Sequence, residues 1–251
     1  MRRDEVYRDR ARAGSFGSVA QQYDRYRPSY PEALLDDLAA SRPARVLDVG
    51  CGTGKVAVAL AGRGLSVLGV EADERMAQVA RGHGIEVEVA RFETWNDAER
   101  RFDLIACGDA WHWIDPELGI AKAARVLRPG GVIAWFWTSC EVDEPVAEAF
   151  DAVYSAHAPE VARIWRHPSG HHRDLLAGSD AFSAIEERTY PSQRALTTDE
   201  WIGLVATVSD HLRLGNERLT ALLRELRVAL ESLGGWVHAR HETTALFTDR
   251  L

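Results

Sequence analysis

Short apolar runs and stretches of helical composition alternate along the first half of the chain. The apolar runs predict five strands, at residues 45–49, 66–70, 85–90, 102–107 and 132–137. Asp115 followed by Pro116 predicts the start of the helix between strands four and five, and the turn at 128–131 predicts its end. This alternation predicts an α/β fold, in which a mostly parallel sheet is covered by helices on both faces.

The last third of the chain is less regular. Residues 181–190 are predicted as a sixth strand, residues 216–233 as a leucine-rich helix, and residues 236–247 as the final strand. Two segments, 1–30 and 141–178, fall outside this core. We expect both over the carboxyl edge of the sheet, where open α/β folds bind ligands, as a lid and part of the substrate pocket.

Size and composition are typical of one large domain. The 251 residues are 46% hydrophobic and 27% charged. We therefore predict a single domain over 1–251, with a cofactor-binding core at 44–138 and the C-terminal part of the sheet and its helices at 181–251. The net charge of −8 argues against a nucleic-acid partner.

The sequence contains no run of about 18 apolar residues, which argues against a membrane helix. The N-terminus lacks the apolar stretch of a signal peptide, and the three cysteines are scattered. We therefore expect a cytoplasmic protein without a membrane partner, and the oligomeric state stays open.

Candidate chemistry is concentrated at the end of the first strand. Residues 46–54 read Val-Leu-Asp-Val-Gly-Cys-Gly-Thr-Gly, so an apolar strand ends in Gly50, Gly52 and Gly54. Glycine tolerates positive φ angles and lets a ligand approach the backbone. A buried strand, a glycine turn and a helix together favour a site for a nucleotide-type cofactor.

The glycine spacing and two acids indicate which cofactor this is. Dinucleotide folds carry G-x-G-x-x-G, whereas this turn reads G-x-G-x-G and follows Asp48. A carboxylate there repels a pyrophosphate but attracts an ammonium group. S-adenosylmethionine (SAM) has an ammonium, a sulfonium and no phosphate. Glu71, at the end of strand two, stands about where an acid accepts hydrogen bonds from ribose hydroxyls. A nicotinamide-linked dehydrogenase is therefore disfavoured.

In these two motifs the chain resembles the class I SAM-dependent methyltransferases. Residues 46–57 match the first motif of that family, and residues 69–76 match the second. The resemblance implies a Rossmann-like seven-stranded sheet in the order 3-2-1-4-5-7-6, with an antiparallel last strand. It also implies SAM as the cofactor and S-adenosylhomocysteine as its product.

The resemblance also implies the cofactor contacts. The glycines are expected against the methionine and ribose moieties, with Asp48 near the ammonium. Residues 16–31 are similar to an N-terminal segment that folds over the cofactor, where Arg27 would pair with the methionine carboxylate. The alternative for this segment is a surface helix that frays. The full predicted set is Tyr23, Arg27, Asp48, Gly50, Gly52, Gly54, Glu71, Ala72, Met76, Phe92, Glu93 and Gly108.

The predicted adenine contacts depart in part from the family pattern. Many relatives carry Asp where this chain has Arg91, so a backbone contact from Phe92 is expected to substitute. For Glu93 the alternative to an adenine contact is a solvated position on the surface. For Met76 the alternative is core packing, since it shares helical spacing with Val79 and Ala80.

Residues 107–115 contain Ala-Trp-His-Trp, which is similar to sequences in small-molecule methyltransferases, including those resembling trans-aconitate methyltransferase. This loop borders the transferred methyl group in that fold. His112 is therefore predicted as the catalytic residue, either as a base for a hydroxyl or as a neutral donor that orients a carboxylate. Its alternative role is to cap the following helix.

Trp111, Trp113 and Trp137 are predicted to bind the acceptor. Trp135 and Trp137 point to one face of strand five because strand side chains repeat every two residues. If that face lines the pocket, it favours a flat or apolar acceptor. Covering helices would explain these tryptophans equally well.

No metal site is predicted, and His167, His171 and His172, with Asp174 nearby, are interpreted as loop residues. His171 or Arg166 could instead belong to a substrate lid.

The predicted function is methyl transfer from SAM to a small-molecule acceptor, with O-methylation ahead of N- or C-methylation. Two alternatives keep the same motifs. One is a SAM-binding protein with a non-methylating reaction, such as a cyclisation or decarboxylation. The other is an inactive partner subunit.

Overall fold

The computed structural model describes residues 3–162 and 179–251. Within these residues the strands are β1 (Val46–Val49), β2 (Val67–Glu71), β3 (Glu86–Val89), β4 (Phe102–Gly108), β5 (Leu127–Val142), β6 (Glu186–Thr197) and β7 (Trp236–Asp249). The α-helices are α1 (Arg10–Ala13), α2 (Ala20–Tyr26), α3 (Glu32–Ala39), α4 (Lys55–Gly62), α5 (Glu74–Gly82), α6 (Pro116–Val126), α7 (Glu144–His157), α8 (Pro159–Ala162), α9 (Thr198–Val205), α10 (Ser209–Leu212) and α11 (Asn216–Ser232). Single 3₁₀ turns lie at Arg3–Arg8, Phe16–Val19, Phe92–Thr94 and Trp111–Trp113.

The strands form one sheet in the order β3-β2-β1-β4-β5-β7-β6. All neighbouring pairs are parallel except those of β7, which runs antiparallel to β5 and β6. The predicted order and the antiparallel last strand are therefore confirmed. The chain reverses its direction of winding between β1 and β4, so the carboxyl ends of these strands open the crevice in which such sheets bind ligands.

Two strands differ from the prediction. Strand β5 begins at Leu127 and not at residue 132, and it continues past Trp137 to Val142 because it pairs with β7 from Val132 to Val142. The sixth strand lies at Glu186–Thr197 and not at 181–190. It is a polar edge strand that contains Pro191, a residue tolerated only where one side of a strand lacks a partner.

The two faces of the sheet bury separate apolar cores. Because strand side chains alternate, Trp135 packs in one core with Trp111, while Phe136 packs in the other with Leu34 of α3. A third core lies among helices α7, α9 and α11 beside the extended end of β5. Its centre is formed by three fully buried leucines at helical spacing on α11, Leu222, Leu226 and Leu230.

Two parts of the chain cover the carboxyl edge of the sheet. One is the N-terminal segment, residues 3–31. The other is formed by α7 and α8, together with α9 and α10, which the sequence analysis left unassigned. The remainder of the predicted 141–178 lid, with Arg166, His167, His171, His172 and Asp174, lies outside the described residues. In the described part of the chain, no helix is long and apolar enough to cross a membrane.

Candidate active site

Three adjoining cavities lie at the carboxyl edge of the sheet. The β1 cavity has a volume of about 180 Å³ and is lined by Asp48, Gly50, Gly52, Thr53 and Lys55, among others. The β2 cavity, of about 130 Å³, is lined by Glu71, Ala72, Met76 and Phe92. The cap cavity, of about 300 Å³, lies under α7–α10 and is lined by His112, Trp113, Tyr154, Trp201 and His211. Tyr23 and Asp109 line all three.

The glycine turn separates β1 from α4. Gly50 has a φ of +66°, and a Cβ on it would lie 2.5 Å from the Ala110 Cβ. A side chain at this position is therefore excluded by conformation and by space. Gly50 and Gly52 line both the β1 and β2 cavities. Gly54 lies outside the lining and precedes α4, where a Cβ would come within 3.0 Å of Ala80.

Asp48 is a buried acid in the wall of the β1 cavity, with 1% of its surface exposed. Its Oδ2 accepts a hydrogen bond from the Ala57 N–H in the first turn of α4, at 3.0 Å. Burial is the main cause that raises the pKa of Asp48 to about 7; the Ala57 hydrogen bond opposes this rise, and the nearby Glu71 adds a smaller contribution to it. A cation bound beside Asp48 would stabilise the ionised carboxylate.

Glu71 fixes the glycine turn to the end of β2. Its Oε2 accepts a hydrogen bond from the Gly52 N–H at 2.9 Å, and its Oε1 accepts one from the Asp73 N–H at 2.9 Å. Burial raises the pKa of Glu71, while these backbone hydrogen bonds oppose the rise. Each carboxylate oxygen can accept more than one hydrogen bond, so both can still receive ribose hydroxyls.

The β2 cavity continues from Glu71 into an apolar slot. Met76 and Phe92 are both buried and form its walls, and Ala72 lies beside them. A slot that is apolar on its sides and acidic at its mouth matches adenosine, whose base is flat and whose ribose carries hydroxyls.

The β1 cavity contains both acidic and basic side chains. Arg27 and Lys55 line it together with Asp48. The Arg27 guanidinium lies 5.3 Å from the centre of the Tyr23 ring, and its Nε donates to Thr207 Oγ1 at 2.9 Å. Thr53 also lines this cavity, and its buried Oγ1 has no hydrogen-bond partner among the described residues. These groups match an amino-acid zwitterion, which carries an ammonium and a carboxylate.

Glu93 does not line the cavities. Its side chain is only 2% exposed, and its Oε1 accepts hydrogen bonds from the Asp115 N–H at 3.0 Å, Arg91 at 2.9 Å and Arg10 at 3.3 Å. The carboxylate thus connects the start of α6 to the N-terminal segment. The structure supports neither the predicted adenine contact nor the alternative of a solvated surface residue.

The predicted acceptor role of Trp111 is wrong. Its ring is 4% exposed and stacks on Trp135 within the core, with centroids 5.4 Å apart and an interplanar angle of 8°. Helix α6 covers this face of the sheet, as the close approach of Gly119 to Trp111 indicates. Trp137 packs against the same core and lies outside the lining of the three cavities. The predicted shared face is correct, but it faces helices and not the pocket.

His112 and Trp113 do reach the cavities. His112 lines the cap cavity, with its ring 4.7 Å from that of Trp113. Trp113 lies between the β2 cavity and the cap cavity, and the Phe16 ring meets its face edge-on at 5.9 Å. The structure therefore places both in the wall of the cap cavity, while the acceptor-binding role of Trp113 and the catalytic role of His112 stay predictions.

Sequence reasoning missed most of the cap cavity. Tyr154 of α7 hydrogen-bonds His211 of α10, with the Tyr Oη 2.9 Å from Nε2. Burial lowers the pKa of His211 to about 4, so the imidazole is neutral at neutral pH. These residues come from segments 57 positions apart, and no local motif links them. The predicted lid at 141–178 contains α7 and α8, but the contribution of α9 and α10 to this cavity was not predicted.

Comparison with known proteins agrees with this geometry. The family model of the methyltransferase domain matches residues 46–131. A malonyl-[acyl-carrier protein] O-methyltransferase of Pseudescherichia vulneris is 31% identical over 196 residues, which are 70% of this chain and 76% of that protein. An uncharacterized methyltransferase of Mycobacterium tuberculosis H37Rv is 40% identical over 128 residues, 50% of this chain. The chain spans about half of that relative, 52% of its length.

A solved structure of a candidate type II methyltransferase from Anaeromyxobacter dehalogenans shares the fold. It aligns with a TM-score of 0.64 and 24% identity, and covers 88% of this chain and 97% of its own. The chain belongs to the class I SAM-dependent methyltransferases. The cofactor of this family is SAM, in agreement with the sequence prediction. The likeness to the trans-aconitate methyltransferases stays a prediction.

Proposed function

We propose that this protein transfers the methyl group of SAM to an oxygen atom of a small, largely apolar acceptor in the cap cavity. The observation that carries this proposal is the meeting of the three cavities at Tyr23 and Asp109. Two of them match the two halves of the cofactor, and the third shares the same two residues in its wall. A methyl group bound between the halves would face the third cavity.

The residues present fit SAM. Asp48 would hold the ammonium, and Arg27 and Lys55 would receive the methionine carboxylate, since all three line the β1 cavity. Glu71 would accept the ribose hydroxyls, with the adenine between Met76 and Phe92. When bound, SAM supplies a methyl group that its sulfonium already activates for displacement.

The protein's own contribution is mainly alignment and exclusion of water. In-line displacement needs the acceptor oxygen held close to the methyl carbon, and such positioning supplies several kcal/mol. The N-terminal segment supplies Phe16, Tyr23 and Arg27 to the roof of the cavities, where they separate the transfer point from bulk solvent. His112, in the wall of the cap cavity, is a group that could accept or donate a proton there.

The lining of the cap cavity supports an apolar acceptor with at least one polar group. Valine and leucine side chains form much of its wall, and the Arg12–Asp210 ion pair at 2.6 Å balances one positive with one negative charge. Trp201 and His211 each have a buried ring nitrogen without a partner among the described residues. The O-methyltransferase name of the Pseudescherichia relative supports oxygen as the receiving atom. We further propose a free cytoplasmic acceptor and no nucleic-acid substrate.

The test is incubation of the purified protein with a cell-metabolite extract and methyl-deuterated SAM, followed by mass spectrometry. We expect a new species that carries the labelled methyl group, and no such species with the Glu71→Ala variant. A protein that binds SAM but labels no metabolite would contradict the transferase proposal. That result would favour a non-methylating use of the cofactor.

A further inference from the structure

Asp109 occupies the point at which the three cavities meet. It directly follows Gly108 at the carboxyl end of β4, and it lines the β1, β2 and cap cavities. Its φ of +50° is uncommon for a residue other than glycine. Such conformations are energetically unfavourable and persist where the surrounding structure enforces them. The backbone is held here by the Asp109 N–H, which donates to the Phe136 carbonyl at 2.8 Å.

The Asp109 carboxylate is also held in place. Tyr30 Oη donates a hydrogen bond to Oδ2 at 2.9 Å, and the Thr138 N–H donates one to Oδ1 at 3.3 Å. The Tyr30 ring packs edge-on against Phe136, with centroids 4.7 Å apart. The absence of a side chain at Gly108 makes room for this arrangement, since a Cβ there would lie 2.5 Å from Tyr30 Oη. The acid is thus oriented by two elements, the N-terminal segment and β5.

The surroundings of Asp109 favour a carboxylate that can take up a proton. Burial raises its pKa, and the Tyr30 hydrogen bond, the Thr138 N–H and the positive charge of Arg27 oppose the rise. Tyr23 of α2, Asp48 of β1 and Glu71 of β2 are titratable groups near this point, and the buried Cys107 thiol of β4 is another. A carboxylate with a raised pKa is a stronger base than an ordinary aspartate.

We propose that Asp109 is a catalytic residue at the point of methyl transfer, where its carboxylate faces the sulfonium and accepts the proton of an acceptor hydroxyl group. This inference rests on the proposed function and names the acceptor class as phenols and alcohols. Tyr30 is the positioning residue that orients the carboxylate.

The proposed step is balanced in atoms and electrons. The acceptor O–H bond breaks, and its proton passes to a carboxylate oxygen of Asp109. The oxygen electron pair forms the new O–C bond to the methyl group, and the C–S bond breaks with its electron pair left on sulfur. The products are the methyl ether and neutral S-adenosylhomocysteine, and the proton later leaves Asp109 for solvent.

The same geometry disfavours a carboxylate acceptor. A carboxylate at this point would face the negative charge of Asp109, and two carboxylates that share a site repel each other. A neutral hydroxyl group instead donates a hydrogen bond to Asp109 and gains nucleophilicity as its proton leaves.

The first test compares the affinities of SAM and S-adenosylhomocysteine by calorimetry for the wild type and the Asp109→Asn variant. Asparagine keeps the size of the side chain and tolerates the positive φ. Asp48 and Glu71 are expected to contact groups that both ligands share, so their contributions cancel in the ratio of the two affinities. The ratio therefore reports the interaction of the protein with the charged sulfur of SAM. We expect Asp109→Asn to lower the preference for SAM about tenfold, because it removes a charge close to the cationic sulfur. An unchanged ratio would overturn the proposal.

The matched control is Asp36→Asn, the same chemical change at an exposed position of α3 outside the cavities, with 69% of the side chain accessible. Its affinity ratio is expected to equal that of the wild type. Circular dichroism and Tm confirm that each variant is folded.

The second test uses the acceptor found by the labelling experiment. We expect Asp109→Asn to lower kcat about 100-fold with little change in the acceptor KM. Tyr30→Phe should lower kcat less than Asp109→Asn does. It should also move the acidic limb of the pH–kcat profile to higher pH, because it removes a hydrogen bond that holds the pKa of Asp109 down. A variant Asp109→Asn with wild-type kcat would overturn the proton-accepting role. A wild type that binds SAM but labels nothing counts against the proposed function, while the affinity ratio still decides whether Asp109 faces the sulfonium.

Discussion

Three acids from the ends of three neighbouring strands lie close together at the carboxyl edge of the sheet. Asp48, Glu71 and Asp109 each have a raised pKa, and burial is the largest cause for each. A binding site that holds buried carboxylates close together is unfavourable without a cation and becomes favourable when one binds. At the scale of single residues, the site is therefore electrostatically prepared for a ligand with positive charges.

Asp48 gives a pH-dependent prediction. Its folded-state pKa of about 7 lies above the ordinary aspartate value of 3.8, so the folded chain binds this proton more tightly than the unfolded chain. The contribution of Asp48 to the free energy of unfolding therefore falls as the pH rises from about 4 to about 7. Asp48→Asn should stabilise the ligand-free protein at pH 8, by about 1–4 kcal/mol in urea unfolding. Equal unfolding free energies at pH 8 would contradict this.

The same residue links SAM binding to proton release. At pH 6 the Asp48 carboxyl is mostly protonated, and the ammonium of SAM favours its ionised form. Binding should therefore release up to one more proton from the wild type than from Asp48→Asn. Calorimetry in buffers of different ionisation enthalpy measures this number. An identical proton release by both proteins would place the ammonium elsewhere.

Glu71 gives a direct prediction for the cofactor. Glu71→Gln should weaken SAM binding about tenfold, because charge-assisted hydrogen bonds to the ribose are replaced by weaker neutral ones. Calorimetry again measures the effect. Glu74→Gln is the matched control, since Glu74 lies on α5 outside the cavities and pairs with Arg81 at the surface. Equal affinities of the two variants would refute the ribose contact.

The sequence could predict the residues that belong to local motifs, because turn and strand geometry place them without knowledge of the fold. The glycine turn, Asp48 and Glu71 are of this kind. The predictions for Glu93 and Trp111 differ from the structure because the surroundings of both residues depend on distant parts of the chain. Glu93 contacts Arg10 and the start of α6. Trp111 stacks on Trp135. Asp109 and Tyr30 are 79 residues apart and meet only in the folded chain.

At the scale of elements, the N-terminal segment is fixed across the cap cavity by α1. Arg12 Nη2 pairs with Asp210 at 2.6 Å, and its Nε donates to Ser209 Oγ at 3.0 Å, so α1 is joined to α10. Asp210 is buried, and its pKa is raised by that burial and lowered by Arg12. Removal of the arginine would leave this acid without its closest partner, which is more costly than the loss of a surface ion pair.

Arg12→Ala should therefore loosen the segment over the site. Hydrogen–deuterium exchange at residues 10–27 is expected to be faster without ligand, and the Kd for SAM to rise about three- to tenfold, since binding must then order the segment. Arg25→Ala removes an exposed arginine from the neighbouring α2 and should change neither quantity. Unchanged exchange in Arg12→Ala would show that other contacts fix the segment.

Strand lengths could be predicted where the strand's own residues carry the apolar pattern. The strands β1, β2 and β4 fall within about one residue of the prediction because buried parallel strands read as apolar runs, and β3 does so through its alternation of valine with glutamate. The extension of β5 from Thr138 to Val142 is partly polar, and its pairing with β7 decides its conformation. Strand β6 is polar along most of its length, so its position depends on β7 and not on its own pattern.

At the scale of the whole molecule, the carboxyl edge of the sheet forms the β1 and β2 cavities. The helices over the cap cavity are packed on a separate helical core. Leu226 of α11 is fully buried in that helical core, so Leu226→Ala should lower the free energy of unfolding by about 2–5 kcal/mol. Val228→Ala, at a position of the same helix with 57% exposure, should cost far less. Urea unfolding measures both. A small effect of Leu226→Ala would show that the helical layer contributes little to global stability.

The central claim is that the β1 and β2 cavities together hold the cofactor and direct its reactive centre toward the cap cavity. A crystal structure with bound S-adenosylhomocysteine tests this most directly. The ligand is expected with its ammonium against Asp48, its ribose on Glu71 and its sulfur next to Asp109 at the mouth of the cap cavity. A ligand bound outside these cavities, or with its sulfur turned away from Asp109, would contradict the claim.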